Sequence, residues 1–251
     1  MRNIKNYLLH GGAWAFAGKL ATAFMGLLLA GLLARLLSPA EMGLYFLAFN
    51  LATFFSILGR GGLENTLLRF IAQANARNQS ARLWSILRKG GILVFTGASL
   101  AALIAALLVP WLDIRLFHSQ GLSAIVYFVS ALLALQFVAG EVFRGFQEIK
   151  WAVLFSGLVT ALTSVLLLGL AVWMGITLVL TTVMVIVILA MVASNGFALL
   201  VLRHKLKALP RDQDNQVSYG ELLDHSWPLL INALTLFLLS QSDLWLLGTF
   251  A

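Results

Sequence analysis

The chain contains no cysteine, which excludes disulfides, thiolate metal sites and a thiol nucleophile. Charge is the next scarcity. Only 11% of the 251 residues are charged while 61% are apolar, whereas a soluble domain would be about a quarter charged. A chain of this composition cannot hide its apolar surface in a core of its own. Its apolar runs are far longer than a barrel strand, so it reads as an integral membrane protein with helical spans. Histidine is sparse as well: His10, His118, His204 and His225 are dispersed, and no pair has metal-site spacing. Acids are fewer than bases, which leaves a formal charge of +7. The bases cluster beside apolar spans and not on a polar module, so membrane topology explains them and no nucleic-acid partner is expected. The start, with Arg2 and Lys5, does not read as a cleaved signal peptide. The apolar run behind it is too long and is interrupted by Lys19, so it is expected to stay as a first span.

Charge gathers in one interval, from Arg60 to Lys89, where Arg60, Arg69, Arg77, Arg82, Arg88 and Lys89 face a single acid, Glu64. Positively charged loops are retained on the cytoplasmic side, so this interval sets the direction of every other crossing. Span one is expected over Ala13–Leu37, with a face of Lys19, Thr22, Ala23, Gly26 and Ala30 small enough to approach neighbours or line a space. The turn Leu37-Ser38-Pro39-Ala40-Glu41 ends it. Span two begins near Met42, is loosened at Gly59-Arg60-Gly61-Gly62 and recovers an apolar rhythm to Ala72. As one helix, Met42–Ala72 would measure about 46 Å and project into the cytoplasm. Leu83, Ile86 and Leu87 then lie opposite Arg82, Ser85 and Lys89, as in an amphipathic lead-in lying at the interface. Span three follows over Gly90–Val109, an outer loop over Trp111–Gly121, and span four over Leu122–Phe143. That span ends in a collar of Glu141, Arg144, Glu148 and Lys150, whose spacing lets all three of Glu141, Arg144 and Glu148 pair along one helix side. Trp151–Leu202 holds no charge and would be about 78 Å long as one helix. It must fold back, at Trp173-Met174-Gly175, into spans five and six. A polar loop and a seventh apolar run from Trp227 to Ala251 complete the chain.

The fold class is therefore an all-α polytopic membrane protein: a six-helix transmembrane lobe over residues 1–209, a cytoplasmic linker over 210–224, and one further helix over 225–251. With the amino terminus inside, every lysine and arginine but Arg35 and Arg115 falls in or beside a cytoplasmic segment.

Catalytic signatures are missing. Asp212-Gln213-Asp214 has a D-x-D form but no nucleotide-binding domain around it, Asn78-Gln79-Ser80 lies on the expected cytoplasmic side, and the glycines around Gly61 lack a following Lys-Ser/Thr. No catalytic residue and no cofactor is expected. Polar groups inside the spans are more informative. A lysine at a span centre costs about 2.5–3.5 kcal/mol, and less where its stem can snorkel, so Lys19 either reaches the headgroups or faces a polar cavity. Ser156, Thr160, Thr163 and Ser164 share a face. Asp243, well inside the seventh run, calls for a partner or a wet cavity.

The segment Arg35-Leu36-Leu37-Ser38-Pro39-Ala40-Glu41-Met42-Gly43-Leu44-Tyr45 resembles the first outer turn of Wzx-type oligosaccharide flippases, members of the multidrug/oligosaccharidyl-lipid/polysaccharide exporter superfamily. Gly62-Leu63-Glu64-Asn65-Thr66-Leu67-Leu68-Arg69-Phe70-Ile71-Ala72 is similar to the end of their second helix. Trp227-Pro228-Leu229-Leu230, with Ser240-Gln241-Ser242-Asp243 and Leu246-Leu247-Gly248, resembles the start of their second half. Relatives usually have twelve or more spans in two lobes, and many carry an arginine after the aspartate, where this chain has Leu244. The resemblance implies a transporter that moves undecaprenyl-diphosphate-linked oligosaccharide across the cytoplasmic (inner) membrane by alternating access, as in polysaccharide, O-antigen and lipopolysaccharide synthesis. Its partners would be the lipid-linked oligosaccharide, membrane lipids and a second lobe missing from this chain. Lys19, Arg69 and Arg144 would meet the anionic head, with Asp243 as a fourth substrate-binding candidate. Two alternatives stand beside this: a cation-coupled drug exporter relying on Asp243 and Glu141, and a membrane-bound enzyme of envelope glycan synthesis. The seventh run also looks like the first beginning again, with Gly31-Leu32-Leu33-Ala34 over Gly248-Thr249-Phe250-Ala251. On that register the chain would be the first lobe of a larger transporter.

Overall fold

The computed structural model describes residues 2–108, 122–207 and 217–250, with side chains described over 12–108, 123–207 and 217–241. The described chain is helical throughout, as lipid requires of backbone that must satisfy its own hydrogen bonds. Its helices are α1 (Arg2–Leu36), α2 (Pro39–Arg60), α3 (Leu63–Ala76), α4 (Ser80–Leu108), α5 (Leu122–Gly145), α6 (Ile149–Val153), α7 (Val159–Trp173), α8 (Leu180–Lys207) and α9 (Tyr219–Phe250), with a π turn at Leu154–Leu158 joining α6 to α7. Seven stretches among the described residues are long and apolar enough to cross a membrane, with α6, the π turn and α7 counting as one. This is the all-α, polytopic architecture expected from the sequence, six spans and one more.

The central helix is α5, packed against α2, α3, α4 and α8, while α1 leans on α6, the π turn and α7. Of three apolar cores among the described residues, a small one joins Phe143, Ala152, Phe155 and Ala198, and the other two lie at opposite ends of the bundle. One joins Leu33, Tyr45, Ala52, Ala105, Val126 and Val183, at the end where α1 turns into α2. The other joins Leu67, Ile71, Leu83, Ile86, Val142 and Leu222, at the end where the basic residues gather.

Local chemistry explains the breaks. Pro39 does more than end α1: it opens α2 from the first turn, where a missing N–H costs nothing. Ser38 caps that helix in a reciprocal box, its N–H donating to Glu41 Oε2 at 2.9 Å and its Oγ accepting from Glu41 N at 3.4 Å. The Met42–Ala72 stretch is two helices and not one long one. Gly61 (φ 57°) and Gly62 (φ 77°) both enter the left-handed region and separate α2 from α3. Gly62 has a second reason to lack a side chain, since a Cβ there would stand 2.3 Å from Ser226 O of α9. The helix pair α2–α4 is in backbone contact in the same way: a Cβ on Gly97 would meet Gly59 O at 2.4 Å.

Two further expectations are met only in part. The stretch from Leu83 to Leu87 leads into span three as expected, but its apolar face packs on protein. It is the first part of α4, and Leu83 and Ile86 are buried in the basic-end core. Its polar face is not left to solvent either. Lys89 Nζ donates to Val217 O at 2.7 Å, Ser85 Oγ accepts from Val217 N at 3.1 Å, and Arg82 pairs with Glu221 at 3.2 Å, so α4 holds the start of α9. The seventh helix accordingly begins at Tyr219, eight residues before Trp227. The collar on α5 also pairs differently. The helix ends at Gly145 and Gln147 takes φ 62°, which turns Glu148 away from Arg144 and onto Lys205 of α8, while Arg144 pairs with Glu141. The hairpin at Trp173-Met174-Gly175 is as expected, with Gly175 at φ 71°. The expected outer loop 111–121 and the D-x-D segment lie outside the described residues.

Candidate functional site

A groove of about 420 Å³ opens between α1 and the α5–α6–π-turn corner. Lys19 and Arg144 both line it, with Thr22 and Ala23 from α1 and Ala152, Val153 and Ser156 from the opposite wall. Small residues create this geometry. Gly18 sits against the Val153 side chain so closely that a Cβ would reach Val153 Cγ1, which brings the α1 backbone onto the end of α6. Ala15, Ala23 and Ala152 leave the volume between them open. Gly26, further along the small face predicted on α1, has nothing within 4 Å of a Cβ position.

The hydroxyls of the groove are committed. Thr22 Oγ1 donates to Gly18 O at 2.8 Å and Ser156 Oγ donates to Val153 O at 2.9 Å. With their protons spent on their own helices, they offer lone pairs and no donors. An anion in the groove is therefore met by the two cationic side chains. Arg144 is half-exposed, and its Nη1 stands 2.5 Å from Glu141 Oε1. Lys19 is exposed into the groove, and no hydrogen bond or ion pair ties it down among the described residues.

The π turn forms part of the groove wall. Gly157 has φ 142°, a conformation that side-chain-bearing residues avoid, and it lies beside Gln136 of α5 and Thr22 of α1. Gln136 Oε1 in turn accepts from Thr160 Oγ1 at 2.9 Å, which fixes α5 to α7 just past the turn. The hydroxyl stripe read from the sequence is thus split: Ser156 faces the groove, Thr160 cross-links helices, and Ser164 is buried with no hydrogen-bond partner among the described residues.

Of the four candidate binding residues, the structure brings Lys19 and Arg144 together. Arg69 is exposed on α3 and is not among the groove's lining residues. Asp243 lies on α9, and its side chain is outside the described residues. Two contacts have no plain signature in the sequence. Lys150 stacks over the Trp14 ring, 5.0 Å from its centroid, and adds a third cation near the α1–α6 junction. Arg60 and Glu64 form a buried ion pair at 3.5 Å, with the Arg60 guanidinium 4.5 Å from the centre of the Phe137 ring. The signal for this pair was their i, i+4 spacing across the Gly61-Gly62 break, which hides the pairing because the break interrupts the helix that would normally align them.

No curated protein and no solved structure matches the chain. Residues 8–251, nearly its whole length, match the family described as polysaccharide biosynthesis protein. A multi-pass bundle of apolar helices, the Ser-Pro turn before α2 and this match agree, and the chain belongs to the polysaccharide biosynthesis protein family, the family of the Wzx-type polysaccharide flippases.

Proposed function

We propose that this protein is a flippase that carries an oligosaccharide linked to undecaprenyl diphosphate from the inner to the outer leaflet of the cytoplasmic membrane. The observation that carries this is the convergence of Lys19 and Arg144 on one groove flanked by apolar helices. A diphosphate is the part of such a substrate that cannot enter lipid unaided. Two unit charges 4 Å apart attract by about 4 kcal/mol at an effective dielectric constant of 20, so a pair of cations offsets much of the lost hydration. The apolar flank of α1, with Phe16, Leu20, Phe24 and Leu27 exposed, suits the polyprenyl tail. In this reading residues 1–209 are one lobe, 210–224 a cytoplasmic linker, and α9 opens a second lobe, so that one bundle moves against the other around the groove. Deleting the gene tests the proposal. Lipid-linked oligosaccharide is expected to accumulate in the membrane while surface polysaccharide disappears. Unchanged surface polysaccharide without accumulation would refute it.

Orientation follows from the basic residues, which place the α3–α4 turn in the cytoplasm and the α7–α8 turn outside. Cysteines introduced singly into this cysteine-free chain report on it. An impermeant maleimide added to intact cells is expected to label Thr177→Cys and to leave Ala76→Cys unlabelled, both positions being exposed. The opposite pattern would invert the topology.

A further inference from the structure

Arg144 is the ion-pair partner of Glu141, and a second cation, Arg60, lies one turn away along α5 over the Phe137 ring. Phe137, Glu141 and Arg144 follow one another at i, i+4 and i+7 on α5, so they share one face. Arg60 lies over the Phe137 ring, about one turn below Glu141, and acts on Glu141 electrostatically, as does Glu64. The four groups form a row, Glu64–Arg60–Glu141–Arg144, with two positive and two negative charges. It is under-bonded along most of its length: Arg60 Nε, Glu64 Oε2 and Glu141 Oε2 are all buried and have no hydrogen-bond partner among the described residues. Unmet donors and acceptors this close hold capacity for a second pairing pattern. Exposure is graded along the row. The Arg60 and Glu64 side chains are each 9% exposed, Glu141 19%, and Arg144 50%, at the groove.

We infer that Glu141 is a built-in competitor for the groove's anion: it neutralises Arg144 while the groove is empty and turns to Arg60 when an anionic head takes Arg144. The inference rests on the reading of the groove as a diphosphate site. It assigns Glu141 a positioning role through Arg144, and Arg60 the role of receiving the released carboxylate. Without that reserve, each binding event would strand a charge in a low-dielectric setting. With it, the released carboxylate keeps a cation beside it, sharing Arg60 with Glu64. The exchange also shifts load onto Arg60, the last residue of α2, next to the Gly61-Gly62 break on which α9 packs. Occupancy of the groove is thereby linked to the junction between α2, α3 and α9.

Binding of inorganic pyrophosphate to the detergent-solubilised chain, measured by calorimetry, tests this by the sign of one change. Glu141→Gln removes the competitor and keeps the shape, and it is expected to tighten binding about fivefold, the worth of one half-exposed ion pair. Glu141→Ala, a second variant with the same expected sign, and Glu141→Asp, expected to bind as the parent does, complete the set. Arg144→Ala and Glu141→Gln/Arg144→Ala are expected to lose binding. A purely structural Glu141 would give weaker binding in Glu141→Gln. That result, or an unchanged affinity, overturns the inference and leaves the groove reading standing. Pyrophosphate bound only by Glu141→Gln supports the inference. Absence of binding in every variant, or full binding by Arg144→Ala, overturns both.

Discussion

Glycan export is expected to fall about tenfold to a hundredfold when either Lys19→Ala or Arg144→Ala is introduced in the native gene, and to be lost in the pair. Each side chain is assigned a charge-assisted contact to a diphosphate, worth about 1.5–3 kcal/mol. The two are not interchangeable. Arg144 presents a planar fork that can take two phosphate oxygens at once, so Arg144→Lys keeps the charge and loses the geometry. Lys19 is a point charge on a flexible stem, and Lys19→Arg is expected to retain most export. Neither change should unfold the bundle, because Lys19 is exposed and Arg144 half-exposed, with no place in any of the three apolar cores among the described residues. Membrane levels of the variants, read by immunoblot, separate loss of transport from loss of protein. Parental export in the double variant at normal abundance would remove the groove from the mechanism.

Much of this molecule follows from two patterns visible in the chain, apolar length and the placement of bases. Seven spans, their order and the hairpin at Trp173-Met174-Gly175 come from length alone, since a run of Trp151–Leu202 cannot cross a bilayer once. Lys19 stood out because a cation in a span needs a reason. What escaped was set by tertiary contacts. Gly61 and Gly62 read as a weak point in a long helix, whereas they make a full break, because α9 occupies the space where Gly62 would carry a side chain. Arg82, Ser85 and Lys89 read as a solvated face, and that spacing cannot reveal that Val217 and Glu221 return to cover it more than a hundred residues later. The π turn leaves its only trace in Gly157, one of 21 glycines. Arg144–Glu148 pairing failed for a similar reason: i, i+4 spacing guarantees proximity only while the helix lasts, and α5 stops at Gly145.

The buried pair Arg60–Glu64 is where single substitutions should cost most in stability. Its two side chains are withdrawn from solvent, meet at 3.5 Å and leave Arg60 Nε and Glu64 Oε2 without hydrogen-bond partners among the described residues. Attraction across such a contact does little more than offset the desolvation of both charges. Removing one partner is another matter, since the remaining charge keeps its desolvation cost and loses its compensation. Arg60→Met and Glu64→Leu are each expected to destabilise by about 3–5 kcal/mol. The Arg60 change should be the costlier, because it leaves Glu64 and Glu141 as neighbouring acids, whereas Glu141 can still serve Arg60 when Glu64 is gone. The apolar double variant Arg60→Met/Glu64→Leu should recover most of the loss, as the pair sits against Phe137 and the basic-end core and well-packed aliphatic groups suit that setting. Tryptophan fluorescence during SDS titration of the solubilised protein gives the four corners of the cycle. Single variants with parental midpoints would show that the pair is hydrated in the membrane. A double variant as unstable as the sum of the singles would show that each side chain is held by contacts other than its partner.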